Sequence, residues 1–412
     1  MPGDVIGTIA LMLAAGFVAR LAADLLRLPP MLLLLGAGAL LGPDLLGWLD
    51  APLQAAGVQV LFTLGVAFIL FHGALGLSAA LLGRVALGLA LLVVPGVVLT
   101  AGVVAVAATA AFGVDPLTGF LIGAVLAPTD PAILIPLFDR LRVRRKVAQT
   151  IVAESALNDV TGAVLALAVA TAVVNEETSL GDPVVEFLAD VGVSTVVGLA
   201  FGVVLSLVVS SSRIGAWREA AAIAVVAVVA ASWVSIDFAG GSGYIGAFLT
   251  GLVVANVERL GLVMRPQERE EVRFTAALAA DVVVLLVFIT LGANLPFGAI
   301  ADELLPALAV VATLVLVARP LAVLACLLPD RRAGWSRNEL AFVAWTRETG
   351  VVPAALAGLL IATGVPGADR IQVVVALALV ATLVVQATTK AWLARRLGLL
   401  EAPSPPTAGR RL

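Results

Sequence analysis

Long apolar stretches recur along almost the whole chain, separated by short polar segments. The stretches are roughly 17–25 residues long, which is the length an α-helix needs to cross a bilayer core of about 30 Å. We therefore predict an all-α polytopic membrane protein with thirteen transmembrane helices. The predicted spans are residues 4–26, 29–48, 56–78, 85–111, 116–138, 147–174, 184–210, 216–235, 242–258, 274–298, 303–328, 338–363 and 370–394.

The composition supports this interpretation. Of the 412 residues, 61% are apolar and only 13% are charged, whereas soluble domains carry about 25% charged residues. The mean hydropathy is +1.11. The net charge of −3 gives no reason to expect a nucleic-acid partner, and the partner that the composition requires is the lipid bilayer.

Basic and acidic residues lie in alternate loops. Arg144, Arg145 and Lys146 follow the fifth predicted span, whereas Asp302 and Glu303 lie on the opposite side, at the start of the eleventh. Because cytoplasmic loops carry an excess of Lys and Arg, the pattern predicts an external N-terminus and a cytoplasmic C-terminus. We expect residues 397–412 to form a short, disordered cytoplasmic tail.

Weak internal similarity relates the two halves of the chain. Thr129-Asp130-Pro131 precedes Thr349-Gly350-Val351 by 220 residues, and Phe68-Ile69 precedes Phe288-Ile289 by the same offset. The matching residues are few, so chance is the alternative, but the shared offset favours a repeat. An even-length unit followed by one helix would insert its second copy inverted, so that the fifth and twelfth helices are interrupted where they meet. The predicted parts are a first repeat, a linking helix and a second repeat, at residues 4–174, 184–210 and 216–394.

Three carboxylates, Asp130, Glu154 and Asp159, lie inside apolar spans. An acidic residue at the centre of a membrane helix costs about 2.5–3.5 kcal/mol, so such residues persist mainly where they line a polar path. Pro131 predicts a helix break beside Asp130, because proline lacks a backbone donor. The alternative is structural, with each carboxylate capping a helix or pairing with an arginine.

Polar neighbours accompany these carboxylates. Thr129 and Ser155 offer hydroxyl oxygens, and Asn158 can donate a hydrogen bond that holds a neighbouring group in place. The cluster contains oxygen ligands without a nearby histidine or cysteine. This donor set favours a hard cation such as Na⁺ over zinc or copper.

Two arginines, Arg319 and Arg347, also lie within apolar spans. A guanidinium stays charged and needs an anion or a helix end. We expect Glu154 to pair with Arg319, Arg347 or both, which gives Glu154 a supporting role. His72 is the only histidine; a structural role is the simpler interpretation and pH modulation is the alternative.

Two motifs carry a resemblance to a known family. At Ala127-Pro128-Thr129-Asp130-Pro131 and at Glu154-Ser155-Ala156-Leu157-Asn158-Asp159, the sequence resembles the NhaP/NHE-type monovalent cation/proton antiporters. The resemblance extends to about Arg396. It implies a homodimer of thirteen-helix protomers with the NhaA-like antiporter fold, in which crossed, discontinuous helices form the ion site.

The resemblance also implies roles for individual residues. Asp159 corresponds to the main cation- and proton-binding carboxylate, while Asp130, Thr129 and Ser155 supply ligands or backbone support. Asn158 marks the Asn-Asp type, which is similar to electroneutral members. Many members carry Glu at the position of His72, which leaves the role of that residue open.

The function that we expect is secondary active antiport of Na⁺, or Li⁺, for H⁺ across the cell membrane, in the service of pH homeostasis. No cofactor is expected beyond the transported ions. A K⁺/H⁺ antiporter of the same fold is the nearer alternative, because Asn-Asp does not exclude K⁺. An intramembrane aspartyl protease is the more distant one, since its Gly-x-Gly-Asp stretch is absent at Asp159. A channel is less favoured, because a helix break with a buried ion pair indicates an occluded site.

Overall fold

The computed structural model describes residues 2–26, 28–53, 55–130, 134–135, 138, 141–175, 181–210 and 221–401. The predicted helix breaker Pro131 and residues 402–412 of the expected tail lie outside this part. In the described part the regular structure is helical, with one isolated β-bridge between Val143 and Leu400. The α-helices are α1 Pro2–Leu26, α2 Pro30–Leu41, α3 Ala56–Ala74, α4 Ala79–Arg84, α5 Ala86–Val93, α6 Pro95–Phe112, α7 Pro116–Leu126, α8 Arg145–Asn175, α9 Gly181–Val209, α10 Ala221–Phe238, α11 Gly243–Ala255, α12 Pro266–Ala293, α13 Phe297–Asp302, α14 Leu304–Thr313, α15 Arg319–Leu327, α16 Arg337–Trp345, α17 Val351–Ala362, α18 Ala368–Ala381 and α19 Thr388–Arg396.

The described residues form nine helical segments that are long and apolar enough to cross a membrane, and four shorter apolar helices. The protein is therefore a multi-pass membrane protein. The short helices are α2, α7, α11 and α17. Because these four are shorter than a full crossing, the count of thirteen stays a prediction.

Several predicted spans are interrupted rather than continuous. The fourth span divides at Val94 into α5 and α6, where Pro95 cannot donate a backbone hydrogen bond. The twelfth span divides into α16 and α17, with residues 346–350 non-helical between them. Single π-helical stretches lie at Leu314–Ala318 and Thr382–Ala387. Such stretches are frequent at functional sites.

Local sequence signals start two of the short helices. The Asp115 carboxylate accepts hydrogen bonds from the backbone N–H groups of Leu117 and Thr118 at 3.0 and 2.9 Å, and so caps α7. Ser336 and Glu339 form a reciprocal capping box at the start of α16. Each cap satisfies N–H groups that the first helical turn leaves without a partner.

The packing of the helices follows the proposed repeat. Helix α2 of the first repeat packs against α12 of the second, and α11 of the second repeat packs against α3 of the first. The pairs α1–α12 and α10–α3 correspond in the same way, as do α1–α2 and α10–α11. Each of these contacts therefore occurs together with the contact that the repeat predicts as its counterpart.

Helices α2 and α12 approach each other through glycine. A β-carbon at Gly38 would overlap the backbone of Ile289, and one at Gly292 would overlap the backbone of Leu35. The two helix backbones are thus in direct contact, an arrangement that small residues allow in membrane helix pairs.

The beginning of the expected tail is held in place. Arg144 N donates to the Leu399 carbonyl at 2.9 Å, and Glu401 N donates to the Arg142 carbonyl at 2.9 Å. Leu399 is also buried. The expectation of disorder therefore does not hold for residues 397–401, because backbone pairing and the burial of an apolar side chain fix them.

We predict that Gly38→Val lowers thermal stability in detergent, because the added side chain must displace the Ile289 backbone. Overpacking of this kind costs about 1–3 kcal/mol. Gly36→Val is the matched control in the same helix, since nothing lies within 4 Å of its β-carbon position. Equal unfolding temperatures for the two variants would contradict the close contact.

Candidate functional site

Two helix breaks meet inside the bundle. The first break comprises residues 127–130, after α7, and the second comprises residues 346–350, between α16 and α17. Asp130 N donates to the Glu348 carbonyl at 2.9 Å, which joins the two segments by a backbone hydrogen bond. The residues of both breaks are buried, so their backbone groups need partners within the protein.

Each break supplies a charged side chain that binds the helix end next to the other break. The Arg347 guanidinium donates from Nη2 to the carbonyls of Leu126 and Ala127, the latter at 3.0 Å, at the C-terminus of α7. The Asp130 carboxylate accepts from Val351 N at 3.1 Å, at the N-terminus of α17. A cation at a C-terminus and an anion at an N-terminus both oppose the helix dipole favourably.

The hydrogen bond from Val351 N to Asp130 explains why residue 350, in the second break, is a glycine. A β-carbon at Gly350 would overlap the Asp130 carboxylate. Only glycine therefore lets Asp130 reach the N–H of Val351. The structural alternative considered for Asp130, a helix cap, is thus an observed contact, although its second oxygen is not used by this bond.

Helix α8 fixes the first break through its polar face. Asn158 Oδ1 accepts from Thr129 N at 3.2 Å, and Asn158 Nδ2 donates to Thr129 Oγ1 at 3.0 Å. Thr129 Oγ1 and Ser155 Oγ are 2.7 Å apart and share a hydrogen bond. The structure therefore brings Thr129, Ser155 and Asn158 together, all of them buried.

Asp159 lies next on the same helix. Its side chain is 3% exposed, and in the part of the chain that the structure describes its Oδ1 atom has no hydrogen-bond partner. Its sequence neighbour Asn158 binds Thr129, which directly precedes Asp130, so Asp159 and Asp130 belong to the same buried region. Two carboxylates that share a buried site favour a counter-ion or a proton between them.

Glu154 has a different partner. Both terminal nitrogens of Arg319, Nη1 and Nη2, donate to the Glu154 carboxylate, the second at 2.8 Å, so the ion pair is bidentate. Arg319 Nε also donates to the Val343 carbonyl at 3.3 Å. Of the two candidate arginines, Arg319 forms the ion pair with Glu154, and Arg347 binds the carbonyls at the C-terminus of α7. Both oxygens of Glu154 are therefore engaged by Arg319.

The second break is supported by the last helical segment. Thr382 Oγ1 accepts from Thr349 N at 3.2 Å, and Gln386 Nε2 donates to the Trp345 carbonyl at 2.7 Å. Both supporting residues belong to the π-helical stretch Thr382–Ala387. The N–H of Thr349 thus binds a side chain of the following span, as the N–H of Thr129 does in the first half.

One buried ion pair was not predicted from the sequence. Glu348 and Lys390 are 0% exposed and their side chains pair with each other. Lys390 lies on α19, within the last predicted span, and Glu348 lies within the twelfth. The signal was available, because a Glu and a Lys within apolar spans are costly unless they pair.

His72 lies on α3 and belongs to neither break. It lines a cavity of about 860 Å³ whose walls also include Gln149, Asn256, Arg145 and Arg273. Basic residues that we assigned to the cytoplasmic side border this cavity. A role of His72 in pH modulation stays a prediction.

Interrupted membrane helices that meet at buried carboxylates define the class of secondary ion transporters. The chain belongs to the sodium/hydrogen exchanger family: the model described as "Sodium/hydrogen exchanger, transmembrane" matches residues 9–396. The family resemblance stated from the two motifs is confirmed. The aspartyl protease alternative is set aside, since the family consists of transporters and not enzymes.

Curated relatives agree with this assignment. The K⁺/H⁺ antiporter NhaP2 of Shewanella sp. (strain ANA-3) is 28% identical over 400 residues, covering 96% of this chain and 67% of the relative. The K⁺/H⁺ antiporter NhaP of Alkalimonas amylolytica is 30% identical over 365 residues, covering 87% of this chain and 60% of the relative. A probable Na⁺/H⁺ antiporter of Methanocaldococcus jannaschii is 29% identical over 251 residues, covering 59% and 57% respectively.

A solved structure shares the fold. The sodium proton antiporter MjNhaP1 from Methanocaldococcus jannaschii, determined at pH 8, superposes with a TM-score of 0.78 at 25% identity, covering 95% of this chain and 98% of that chain. The antiporter fold expected from the sequence is therefore confirmed.

We predict that Glu154→Ala destabilises the protein by about 3–5 kcal/mol, because it leaves Arg319 buried without its anion. Thermal unfolding in detergent measures the loss. The matched control is Glu303→Ala, whose pair with Arg370 at 3.2 Å is partly exposed and contributes about 1 kcal/mol or less. A Glu154→Ala protein as stable as the control, yet unable to bind cations, would make Glu154 a ligand.

Proposed function

We propose that the protein is a secondary active antiporter that exchanges Na⁺ for H⁺ across the cell membrane. Asp159 is the carboxylate for which cation and proton compete. The observation that carries this proposal is the buried Asp159 carboxylate, whose Oδ1 has no hydrogen-bond partner among the described residues. It lies on the helix that also holds the first of two meeting helix breaks.

The surrounding oxygens suit a hard monovalent cation. Thr129 and Ser155 bond to each other through their hydroxyls. Thr129 Oγ1 also accepts from Asn158 Nδ2, so with Thr129 as the donor to Ser155 each hydroxyl oxygen keeps one lone pair for an ion. Asp130 uses Oδ2 to cap α17. We assign Asp159 as the principal ligand, with Asp130, Thr129 and Ser155 as further ligands or supports and Asn158 as the residue that orients Thr129.

Competition couples the two fluxes. A bare carboxylate is too costly to carry across a low-dielectric barrier. The site therefore changes its exposure from one side to the other only with a cation or a proton on Asp159. Alternating exposure then exchanges one for the other without any additional energy source.

The buried charges favour a one-for-one exchange. Around the two breaks the described residues include four carboxylates and three basic groups; these are Asp130, Glu154, Asp159 and Glu348, and Arg319, Arg347 and Lys390. With all of them ionised, one negative charge is left over. A single monovalent cation or a single proton balances it, so each half-cycle carries the same charge and transport is electroneutral.

K⁺/H⁺ exchange is the second candidate. Two of the curated relatives described above are named K⁺/H⁺ antiporters, while the solved neighbour is a sodium proton antiporter. Competition among Na⁺, Li⁺ and K⁺ on the purified protein in liposomes distinguishes these cargoes. Preferential K⁺ exchange would replace Na⁺ in the proposal and leave the site unchanged.

The assembly and orientation that we propose follow from the sequence pattern and the family. The protein is a homodimer in the plasma membrane, with its N-terminus outside and its C-terminus in the cytoplasm, and it serves pH homeostasis. The loop asymmetry of basic residues supports the orientation. Molecular mass in detergent and protease access to tagged ends test these points.

The decisive experiment is ²²Na⁺ uptake into proteoliposomes under an imposed pH gradient. We expect uptake when the lumen is acidic, and none without the protein. Clamping the membrane potential should leave the rate unchanged. Absence of gradient-driven uptake of Na⁺, Li⁺ and K⁺ alike would refute antiport.

We predict that Asp159→Asn abolishes exchange while the protein still folds, because the substitution removes the titrating charge and keeps the shape. Proton movement driven by Na⁺ in proteoliposomes is the measurement. Asp302→Asn, at an exposed acidic residue of the short helix α13, is the control and should retain activity. Exchange at the wild-type rate in Asp159→Asn would exclude the competition mechanism.

We also predict that the apparent cation affinity falls as the pH is lowered. Where Asp159 is mostly protonated, a tenfold rise in proton concentration should raise the apparent KM about tenfold, the limit for one competing proton. Initial rates at a series of pH values give this dependence. A current that reverses with the Na⁺ and pH gradients would show that a second charge is carried.

A further inference from the structure

The Glu348–Lys390 pair lies outside the ligand set assigned above, yet it adjoins that set. Both side chains are fully buried. The backbone carbonyl of Glu348 accepts the hydrogen bond of Asp130 N at 2.9 Å. Lys390 therefore pairs with the residue whose carbonyl holds the backbone of Asp130.

We propose that Lys390 is a positioning residue that sets the net charge of the cation site. It cancels the charge of Glu348, so that one negative charge, and not two, remains for the transported ion. This inference rests on the proposed exchange function, and it names the residue that limits the site to one monovalent ion.

Stability alone gives no reason for such a pair. Replacing a buried ion pair by apolar side chains of similar volume is often neutral or stabilising. The pair is also not required to anchor the second break, because Thr382 and Gln386 already bind that segment at 3.2 and 2.7 Å. What each member adds is a charge that the other cancels.

The buried charges form one connected network. Glu348 pairs with Lys390, and its backbone carbonyl binds the N–H of Asp130. Arg347, the residue before Glu348, binds the carbonyls at the end of α7 that leads to Asp130. In general, a unit charge about 10 Å from a bound ion changes its binding constant roughly tenfold or more in an effective dielectric of about 20. Charge changes at Glu348 or Lys390 should therefore change the affinity of the site for a cation on Asp159.

The direction in which the apparent cation affinity changes distinguishes this role from a purely structural one. Glu348→Gln removes the excess negative charge and should weaken the apparent cation affinity about tenfold. Lys390→Met adds one unit of negative charge and should strengthen it by a similar factor. The double variant restores the balance and should lie within about threefold of the wild type. A purely structural pair would instead weaken binding in both single variants.

The test measures the apparent KM for Na⁺, and for K⁺ in parallel, in proteoliposomes at an alkaline pH at which protons compete least. Glu303→Gln and Arg370→Met form the matched control, because that pair is partly exposed and should leave the KM unchanged. If Lys390→Met does not fold, the test compares Glu348→Gln with the double variant. Recovery of the affinity in the double variant supports the proposal.

Two results would overturn it. The first is a loss of affinity in both single variants that the double variant does not repair. The second is an unchanged KM in a folded Lys390→Met or Glu348→Gln protein. A wild-type protein without any cation/proton exchange would instead refute the proposed function itself, so the two failures are distinguishable.

Discussion

Neither helix break can be satisfied without the other. The C-terminal carbonyls of α7 are bound by Arg347 from the second break, and the N-terminus of α17 is bound by Asp130 from the first. Unpaired polar groups at membrane depth are expensive, so this reciprocal capping holds the two halves in one register. The positions of Thr129, Ser155 and Asp159 beside the break follow from it, because Asn158 fixes the backbone of Thr129 to α8.

Much of this site could be predicted from the sequence, for a simple physical reason. Asp130, Glu154 and Asp159 stand out because a charge is costly within an apolar span. The shared offset of 220 residues relates the first break at Thr129 to the second at Thr349. The choice of Arg319 as the partner of Glu154 depends on helix packing, which the pattern alone does not give. The pairing of Lys390 was not predicted, because this residue lies near the end of the last predicted span, where a long basic side chain can also reach the membrane surface.

The structure separates the question of charge from the question of ion size. The buried carboxylates and basic groups determine how many charges the site balances, and Na⁺ and K⁺ are equivalent in that respect. In the proposed site, selectivity between them would come from the spacing and rigidity of the oxygens, including the hydroxyl pair Thr129 and Ser155 at 2.7 Å. Two relatives named for K⁺ and a neighbour named for sodium are compatible with one shared charge arrangement.

The pairing of Glu154 with Arg319 has a consequence for biosynthesis. The two residues are 165 positions apart, so the carboxylate is synthesised long before its partner. At about 5–20 residues per second, Glu154 waits on the order of ten to thirty seconds for the arginine. During that interval the Glu154 carboxylate has no arginine partner, so water or the insertion machinery must shield it from the lipid. Completion of the second half is therefore the step that commits the nascent chain to its native membrane structure.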